Sequence, residues 1–185
     1  LADLSKAVIN AFRDALVQLN IHCPFFVSQN DGTLMTSEFA EKYPVLTFAS
    51  GPTNSMRGAA FLSGVQDGIV ADVGGTTTDV GVLIGGFPRE SAISVDIGSV
   101  RTNFRMPDVL AVGLGGGSIV RQSDEETSVG PDSVALDLLT QAKVFGGHTL
   151  TATDIAVAAG YADIGDKSLV ADLDPALVEA AVDQL

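Results

Sequence analysis

The segment at residues 68–86 constrains this chain more than any other. It contains an apolar run at residues 69–73, interrupted by a single aspartate, which is typical of a buried strand. A second apolar run follows at residues 80–84, and Gly85-Gly86 then marks a turn. Two glycines and three threonines lie between the two runs. This order predicts two antiparallel strands joined by a tight turn that is rich in glycine and threonine.

The glycines and threonines of this turn are suited to holding a phosphate group. Gly74 and Gly75 can adopt positive φ and let a ligand approach the backbone closely. Successive N–H groups in such a turn form a concavity that binds anions. Thr76 and Thr77 add hydroxyl donors beside it. We therefore predict that Gly74, Gly75, Thr76 and Thr77 bind the phosphates of a cofactor.

Two aspartates bracket the turn, Asp72 before it and Asp79 after it. Carboxylate oxygens are ligands for Mg²⁺, which is commonly bound together with phosphate. Asp72 is the predicted metal ligand, directly or through water, and Asp79 is predicted to support the loop or the metal. Both are candidate catalytic residues. The alternative is that these side chains only stabilise the turn of an ordinary hairpin.

The composition limits the class of protein. A length of 185 residues predicts a single domain at residues 1–185. The apolar fraction of 46% argues against disorder. A formal net charge of −13 argues against a nucleic-acid partner, which needs a basic face. The single cysteine, Cys23, cannot form an internal disulfide, which fits a cytoplasmic location. We expect no signal peptide at the start of the sequence. We also expect no membrane segment, because no apolar run approaches about 18 residues.

Two further stretches are candidates for cofactor contacts. A second glycine-rich turn at residues 113–118 departs from the dinucleotide pattern Gly-x-Gly-x-x-Gly, because Ser118 stands at the place of the third glycine. Gly51 lies where a predicted strand feeds a predicted helix, an arrangement that binds anions at some helix N-termini. The alternative for Gly51 is ordinary capping.

The remaining periodicity predicts the other helices and strands. We predict helices at residues 1–19, 52–62, 133–144, 151–159 and 174–185, and strands at residues 24–27, 45–49, 92–97 and 109–112.

The motifs together resemble a known family. The run Asp-Val-Gly-Gly-Thr-Thr-Thr-Asp at residues 72–79 resembles a phosphate loop of the actin, sugar kinase and heat-shock chaperone superfamily. Within it the chain is similar to the hydantoinase A/5-oxoprolinase family, which also includes subunits of acetone carboxylase. Five other segments resemble signatures of that family in the same order, at residues 28–32, 50–55, 113–119, 129–131 and 151–154.

The resemblance implies a fold, a cofactor and a reaction. The fold would be a ribonuclease-H-like, actin-like ATPase α/β domain, a mixed sheet with helices on both faces. The cofactors would be ATP and Mg²⁺, with Gly115, Gly116, Gly117 and Ser118 bordering the nucleoside. ATP hydrolysis would serve to open a cyclic amide such as a hydantoin or 5-oxoproline.

The resemblance also implies partners. The superfamily divides its phosphate site between two lobes, each with its own loop, and this sequence contains one such loop. We therefore expect one lobe or fragment of a larger subunit, completed by the missing lobe and by a second, hydantoinase B-like subunit. The alternatives are a non-catalytic nucleotide-binding or assembly module and a small-molecule kinase of the same superfamily.

Overall fold

The computed structural model describes residues 2–91, 95–97, 100–102, 104–123 and 126–185. The helices lie at Ala2–Gln18 (α1), Ser37–Lys42 (α2), Ser50–Ser63 (α3), Leu138–Gln141 (α4), Ala152–Ala158 (α5) and Pro175–Val182 (α6). The strands lie at Phe26–Ser28 (β1), Leu34–Thr36 (β2), Gly68–Val73 (β3), Thr78–Ile84 (β4), Phe87–Pro88 (β5), Val95–Ile97 (β6), Val100–Thr102 (β7), Val109–Val112 (β8), Ser118–Gln122 (β9) and Thr127–Ser133 (β10).

The chain divides into two compact units. The first unit comprises residues 1–70 and 80–110, and the second unit comprises residues 71–79 and 111–185. Strands β3, β4 and β8 each contribute residues to both units. In the four-stranded sheet β4 pairs with β3, β5 and β8. Because residues 74–77 alone connect β3 to β4, the two strands are antiparallel, and the predicted hairpin is confirmed.

The first unit contains two small apolar cores. In the first core, Ile9 of α1 packs with Met35 and Ala40. In the second core, Met56 and Ala60 of α3 pack against three residues of the sheet, Leu83, Val70 and Val109. The glycine at residue 81 leaves room for the Met56 side chain, because a Cβ there would lie 2.6 Å from the Met56 sulfur. The predicted helices at residues 1–19 and 52–62 are confirmed as α1 and α3.

The second unit is built around the antiparallel pair β9–β10 and the helix α5. Ile155 of α5 is fully buried against Val120 of β9 and Leu177 and Ala181 of α6. The predicted helix at residues 151–159 is confirmed as α5, with Thr151 as its N-cap. The last predicted helix is confirmed as α6, where the Asp174 side chain accepts from the Ala176 N–H.

Two sequence predictions are wrong. The predicted strand at residues 45–49 is a 3₁₀ helix, Pro44–Thr47, because proline at its first position favours a helical turn. The Asn30 side chain also holds this turn, by donating to the Val45 carbonyl and accepting from the Ala49 N–H.

The predicted helix at residues 133–144 is also wrong, since the segment divides into the end of β10, a 3₁₀ turn at Ala135–Asp137, the short α4 and a second 3₁₀ turn. Ala142 is extended and ends α4, with φ −69° and ψ 145°. The Val144 N–H donates to Asp154 Oδ1 in place of an intrahelical acceptor, so a tertiary contact overrides the helical periodicity.

The predicted strand at residues 92–97 falls partly outside the described residues. Residues 92–94 lie outside them, and Val95–Ile97 pairs antiparallel with Val100–Thr102.

In the part of the chain that the structure describes, no helix combines the length and the apolar character that crossing a membrane requires.

Candidate phosphate-binding site

The turn between β3 and β4 is closed by one backbone hydrogen bond, in which the Gly74 N–H donates to the Thr77 carbonyl at 2.9 Å. Residues 74–77 are all exposed. Because this bond pairs residue 74 with residue 77, counting back along the two strands places Asp72 opposite Asp79. The hairpin therefore brings together the two aspartates that the sequence singled out.

A second loop, at residues 113–118, packs directly behind this turn. The Gly116 N–H donates to the Gly74 carbonyl at 3.0 Å, and the Gly117 N–H donates to the Gly75 carbonyl at 2.7 Å. A Cβ on Gly115 would lie 2.6 Å from the Gly74 oxygen. The two glycine-rich segments are therefore in backbone-to-backbone contact within the second unit, and glycine is required at residue 115 for this contact.

This packing sets the direction of the free amides of the turn. The N–H of Gly75 shares a planar trans peptide with the Gly74 carbonyl, and the N–H of Thr76 shares one with the Gly75 carbonyl, so both point away from the loop behind. Among the described residues, the N–H groups of Gly75, Thr76 and Thr77 have no hydrogen-bond partner. Three successive exposed N–H groups without partners form the kind of concavity that binds an anion.

Asp72 and Asp79 lie half-buried beside these amides. In the described part of the chain neither carboxylate makes a hydrogen bond or an ion pair, so neither one caps the turn. Ala71, Val73 and Thr78 line an apolar pocket of about 460 Å³ on one face of the hairpin, and strand alternation puts both aspartates on the opposite face. Two carboxylates in cross-strand positions repel each other unless a cation lies between them.

The donors at this site fit Mg²⁺. Over the described ranges, no three His, Cys, Asp or Glu side chains form a cluster that could hold a metal ion. Mg²⁺ does not need such a cluster, because it is commonly held by one or two carboxylates together with phosphate oxygens and water. Asp72 and Asp79 would supply the carboxylates, and an anion held by the three amides would supply the phosphate oxygens.

The three threonines of the turn have different surroundings. Thr76 and Thr77 are exposed, and their hydroxyls have no partner among the described residues, so they remain available to a ligand. The Thr78 hydroxyl donates to the Leu114 carbonyl at 2.7 Å and ties the turn to the loop behind it. Ser133 adds a weaker bond from its hydroxyl to the Gly75 carbonyl at 3.3 Å.

Ser118 and Gly116 shape the second loop from inside. Ser118 is fully buried, and its hydroxyl accepts from the Gly115 N–H at 2.9 Å, so Ser118 can affect a ligand only through the shape of the loop. The Gly116 carbonyl accepts from both the N–H and the hydroxyl of Thr153. From the sequence, Thr78 is one of three threonines expected to add donors to the turn, and Thr153 is an alternative to Thr151 as the N-cap of its helix. The structure has Thr151 as the N-cap, and Thr78 and Thr153 instead donate to the second loop.

Gly51 belongs to the first unit, whereas the two loops belong to the second. It lies in the first turn of α3, where it is exposed and where an added Cβ would meet nothing within 4 Å. The helix predicted to follow Gly51 is present, and a cofactor contact at Gly51 stays a prediction.

Comparison with known proteins identifies the family. The model of the hydantoinase/oxoprolinase family matches residues 1–182. The chain belongs to the hydantoinase/oxoprolinase family. The family resemblance of the motifs is thereby confirmed.

The relative described next is much longer than this chain. The chain is 29% identical over 158 residues to the acetophenone carboxylase gamma subunit of Aromatoleum aromaticum (strain DSM 19018 / LMG 30748 / EbN1), covering 83% of the chain and 21% of that protein. It therefore spans about a fifth of this relative.

Solved structures of similar fold include two ATP-dependent enzymes. A nucleotide-free structure of acetone carboxylase matches 99% of the chain and 29% of its own, with a TM-score of 0.75 and 22% identity. The ATP-dependent caprolactamase of Pseudomonas jessenii matches 99% of the chain and 30% of its own, with a TM-score of 0.68 and 23% identity. These matches support a mixed α/β fold of the kind found in ATP-dependent enzymes.

Proposed function

We propose that this chain supplies phosphate-binding residues to the ATP site of an ATP-dependent enzyme of the hydantoinase/oxoprolinase family. The observation that carries the proposal is the row of exposed N–H groups at Gly75, Thr76 and Thr77, flanked by the carboxylates of Asp72 and Asp79. None of these groups has a hydrogen-bond partner among the residues that the structure describes. The fold would be the ribonuclease-H-like, actin-like ATPase domain that the motifs imply.

Different groups of the turn bind different parts of Mg-ATP. The N–H groups of Gly75, Thr76 and Thr77 hold phosphate oxygens, because each is a donor that nothing else in the described chain uses. The hydroxyls of Thr76 and Thr77 add further donors. Asp72 and Asp79 hold Mg²⁺ directly or through water, and the ion neutralises phosphate charge that two carboxylates would otherwise repel. Gly115, Gly116 and Gly117 keep the turn in place and border the nucleoside.

The proposed reaction is the ATP-dependent opening of a cyclic amide. An amide carbonyl is a poor electrophile, and transfer of a phosphoryl group to its oxygen would make the carbon open to attack by water. The similar fold of an enzyme named an ATP-dependent caprolactamase supports this substrate class. A hydantoin or 5-oxoproline is the expected kind of substrate.

A second candidate is the ATP-dependent carboxylation of a ketone. The relative with 29% identity is the gamma subunit of an acetophenone carboxylase, and one similar fold belongs to acetone carboxylase. Transfer of the γ-phosphoryl group of ATP to bicarbonate would release ADP and form carboxyphosphate, and loss of phosphate from it would supply the CO₂ that the enolate of the ketone attacks. The same phosphate-binding turn would serve that reaction.

The proposal includes partners. The chain spans less than a third of the relatives it matches, and one of them is named as a subunit. We therefore propose that a further lobe completes the ATP site and that a second, hydantoinase B-like subunit contributes to the substrate site.

An ATPase assay on the complete protein tests the proposal. Phosphate release would be measured with Mg-ATP alone, with a panel of hydantoins and lactams, and with ketones plus bicarbonate. Stimulation by a cyclic amide supports the first candidate, and stimulation by a ketone only with bicarbonate supports the second. Binding of Mg-ATP without turnover under every condition would favour a non-catalytic nucleotide-binding module, and no binding of Mg-ATP would refute the proposal.

A further inference from the structure

Thr153 makes two hydrogen bonds to one acceptor of the loop that supports the phosphate-binding turn. It is the second residue of α5 and is 8% exposed. Its backbone N–H and its hydroxyl both donate to the Gly116 carbonyl, at 2.9 and 2.8 Å. A Cβ on Gly116 would lie 3.0 Å from the same hydroxyl, so the contact is tight as well as directional.

Gly116 links Thr153 to the turn through a second hydrogen bond. Its own N–H donates to the Gly74 carbonyl at 3.0 Å. The Gly74 carbonyl and the Gly75 N–H belong to one rigid peptide, so the orientation of the carbonyl fixes the orientation of the N–H. A path of two residues therefore joins the Thr153 hydroxyl to the first free amide of the proposed phosphate site.

The start of α5 is itself held in place by Asp154, which is fully buried. Its Oδ2 accepts from the Thr151 N–H at 2.7 Å and from the Thr151 hydroxyl at 2.8 Å, and its Oδ1 accepts from the Val144 N–H at 2.8 Å. These bonds complete a capping box with Thr151. Thr153 therefore donates from a fixed platform, and a change at its hydroxyl is not absorbed by movement of the helix.

We propose that Thr153 is a positioning residue for the nucleotide phosphates, and that its hydroxyl acts through Gly116 and Gly74 to aim the Gly75 N–H. This inference rests on the proposed function, since it assumes that the turn binds the phosphates of Mg-ATP. It assigns to Thr153 a role beyond starting a helix, because Thr151 and Asp154 already provide the cap.

The test is calorimetric titration of Mg-ATP into the complete protein. Thr153→Val keeps the shape of the side chain and removes the hydroxyl, while the backbone N–H of residue 153 still satisfies the Gly116 carbonyl. The expected result is a rise in Kd of about fivefold, which corresponds to losing one net hydrogen bond from the misaligned Gly75 N–H to the phosphate. Thr153→Ser restores the hydroxyl and is expected to return Kd to near the wild-type value.

Thr140→Val is the matched control. The Thr140 hydroxyl also donates to a backbone carbonyl of the second unit, that of Asp137 at 3.0 Å, and in the described part of the chain it makes no hydrogen bond to either loop. Its Kd is expected to equal that of the wild type. An equal Kd for Thr153→Val and wild type would overturn the inference, whereas a wild type that binds no Mg-ATP would overturn the proposed function itself.

Amide NMR spectra separate positioning from general loss of structure. In Thr153→Val the cross-peaks of Gly116, Gly74 and Gly75 are expected to shift while those of α6 stay in place. Thr153→Ala, which also lacks the hydroxyl, is expected to show the same pattern. Shifts spread over the whole second unit in both variants, with binding lost in proportion to the unfolded fraction, would show a structural role alone and contradict the inference.

Discussion

The two glycine-rich loops of the second unit have similar sequences and opposite surroundings. Residues 74–77 are exposed, and three of their N–H groups have no partner in the described part of the chain. In residues 113–118, by contrast, Gly115, Gly117 and Ser118 are buried, and the loop is held by hydrogen bonds from Thr153 and to the turn in front. The first loop has N–H groups without a partner among the described residues, whereas the second loop donates two of its N–H groups to carbonyls of the first.

The comparison separates a glycine that packing requires from one that packing does not require. At residue 115 glycine is needed because the backbone of the neighbouring loop leaves no room for a Cβ. At residue 75 a Cβ would meet nothing within 4 Å, so packing does not require glycine there. A requirement at residue 75 would therefore come from a ligand, which alanine substitutions can detect.

The largest effect is expected from Gly115→Ala. Its Cβ would lie within 2.8 Å of three backbone atoms of residues 74–76, so the two loops must separate. We expect a loss of about 3 kcal/mol in the free energy of unfolding, measured by urea denaturation. The matched variant Gly75→Ala should stay within about 0.5 kcal/mol of wild type, because it adds a methyl group to open space. Equal losses in both variants would show that the loops do not differ in packing.

Asp154→Asn is expected to have the next largest effect, because it weakens the support of the second loop. The carboxylate accepts three hydrogen bonds, and an amide in its place would set an NH₂ group against a backbone N–H in a buried site. We expect a loss of about 2 kcal/mol in the free energy of unfolding.

Asp166→Asn is the control for that change. Asp166 also accepts from a backbone N–H and a hydroxyl, both of Ser168, but it is exposed at the start of a 3₁₀ helix. Asparagine caps about as well as aspartate, so stability should change by no more than about 0.5 kcal/mol. A loss at Asp154 no larger than the one at Asp166 would contradict the role of Asp154 as a support.

How much of this could be predicted from the sequence depends on whether the signal is local. The hairpin, α1 and α3 follow from periodicity and turn residues. Capping side chains predict that one helix starts at Thr151 or Thr153 and another at Asp174, and the structure has Thr151 and Asp174 as the caps. Asp72 and Asp79 could be paired in advance because a tight turn fixes the register of its strands.

The contact between the two loops could not be predicted in this way. It joins residues about 40 positions apart, and a glycine required by a neighbouring backbone looks in sequence like a glycine required by a ligand. The break in the predicted helix at residues 133–144 could not be predicted for the same reason. The Val144 N–H donates to Asp154, which lies ten residues away in sequence. Helical periodicity carries no information about such a partner.

Asp72→Asn tests whether the exposed loop works with a metal. The two carboxylates are in cross-strand positions and have no partner among the described residues, so removing one charge should leave the free energy of unfolding unchanged or slightly raised. Affinity for Mg-ATP in the complete protein should fall about tenfold, because a carboxylate ligand is lost. Titrations of ATP with and without Mg²⁺, for wild type and variant, measure this. Equal affinities in all four titrations would leave Asp72 without a metal role.

The smallest effect among these variants is expected in the adjacent pair Thr77 and Thr78. Thr78 is hydrogen-bonded to the second loop, whereas the Thr77 hydroxyl has no partner among the described residues. The Thr78 hydroxyl donates to the Leu114 carbonyl at 2.7 Å, so Thr78→Val should lower the free energy of unfolding by about 1 kcal/mol. Thr77→Val removes a hydroxyl that has no partner in the described chain, so stability should remain within about 0.5 kcal/mol of wild type. If the exposed turn binds phosphate, Thr77→Val should instead weaken Mg-ATP binding, measured in the same calorimetric titration. The opposite result, in which Thr77→Val lowers the free energy of unfolding and Thr78→Val does not, would contradict the view that Thr78 holds the turn to the second loop.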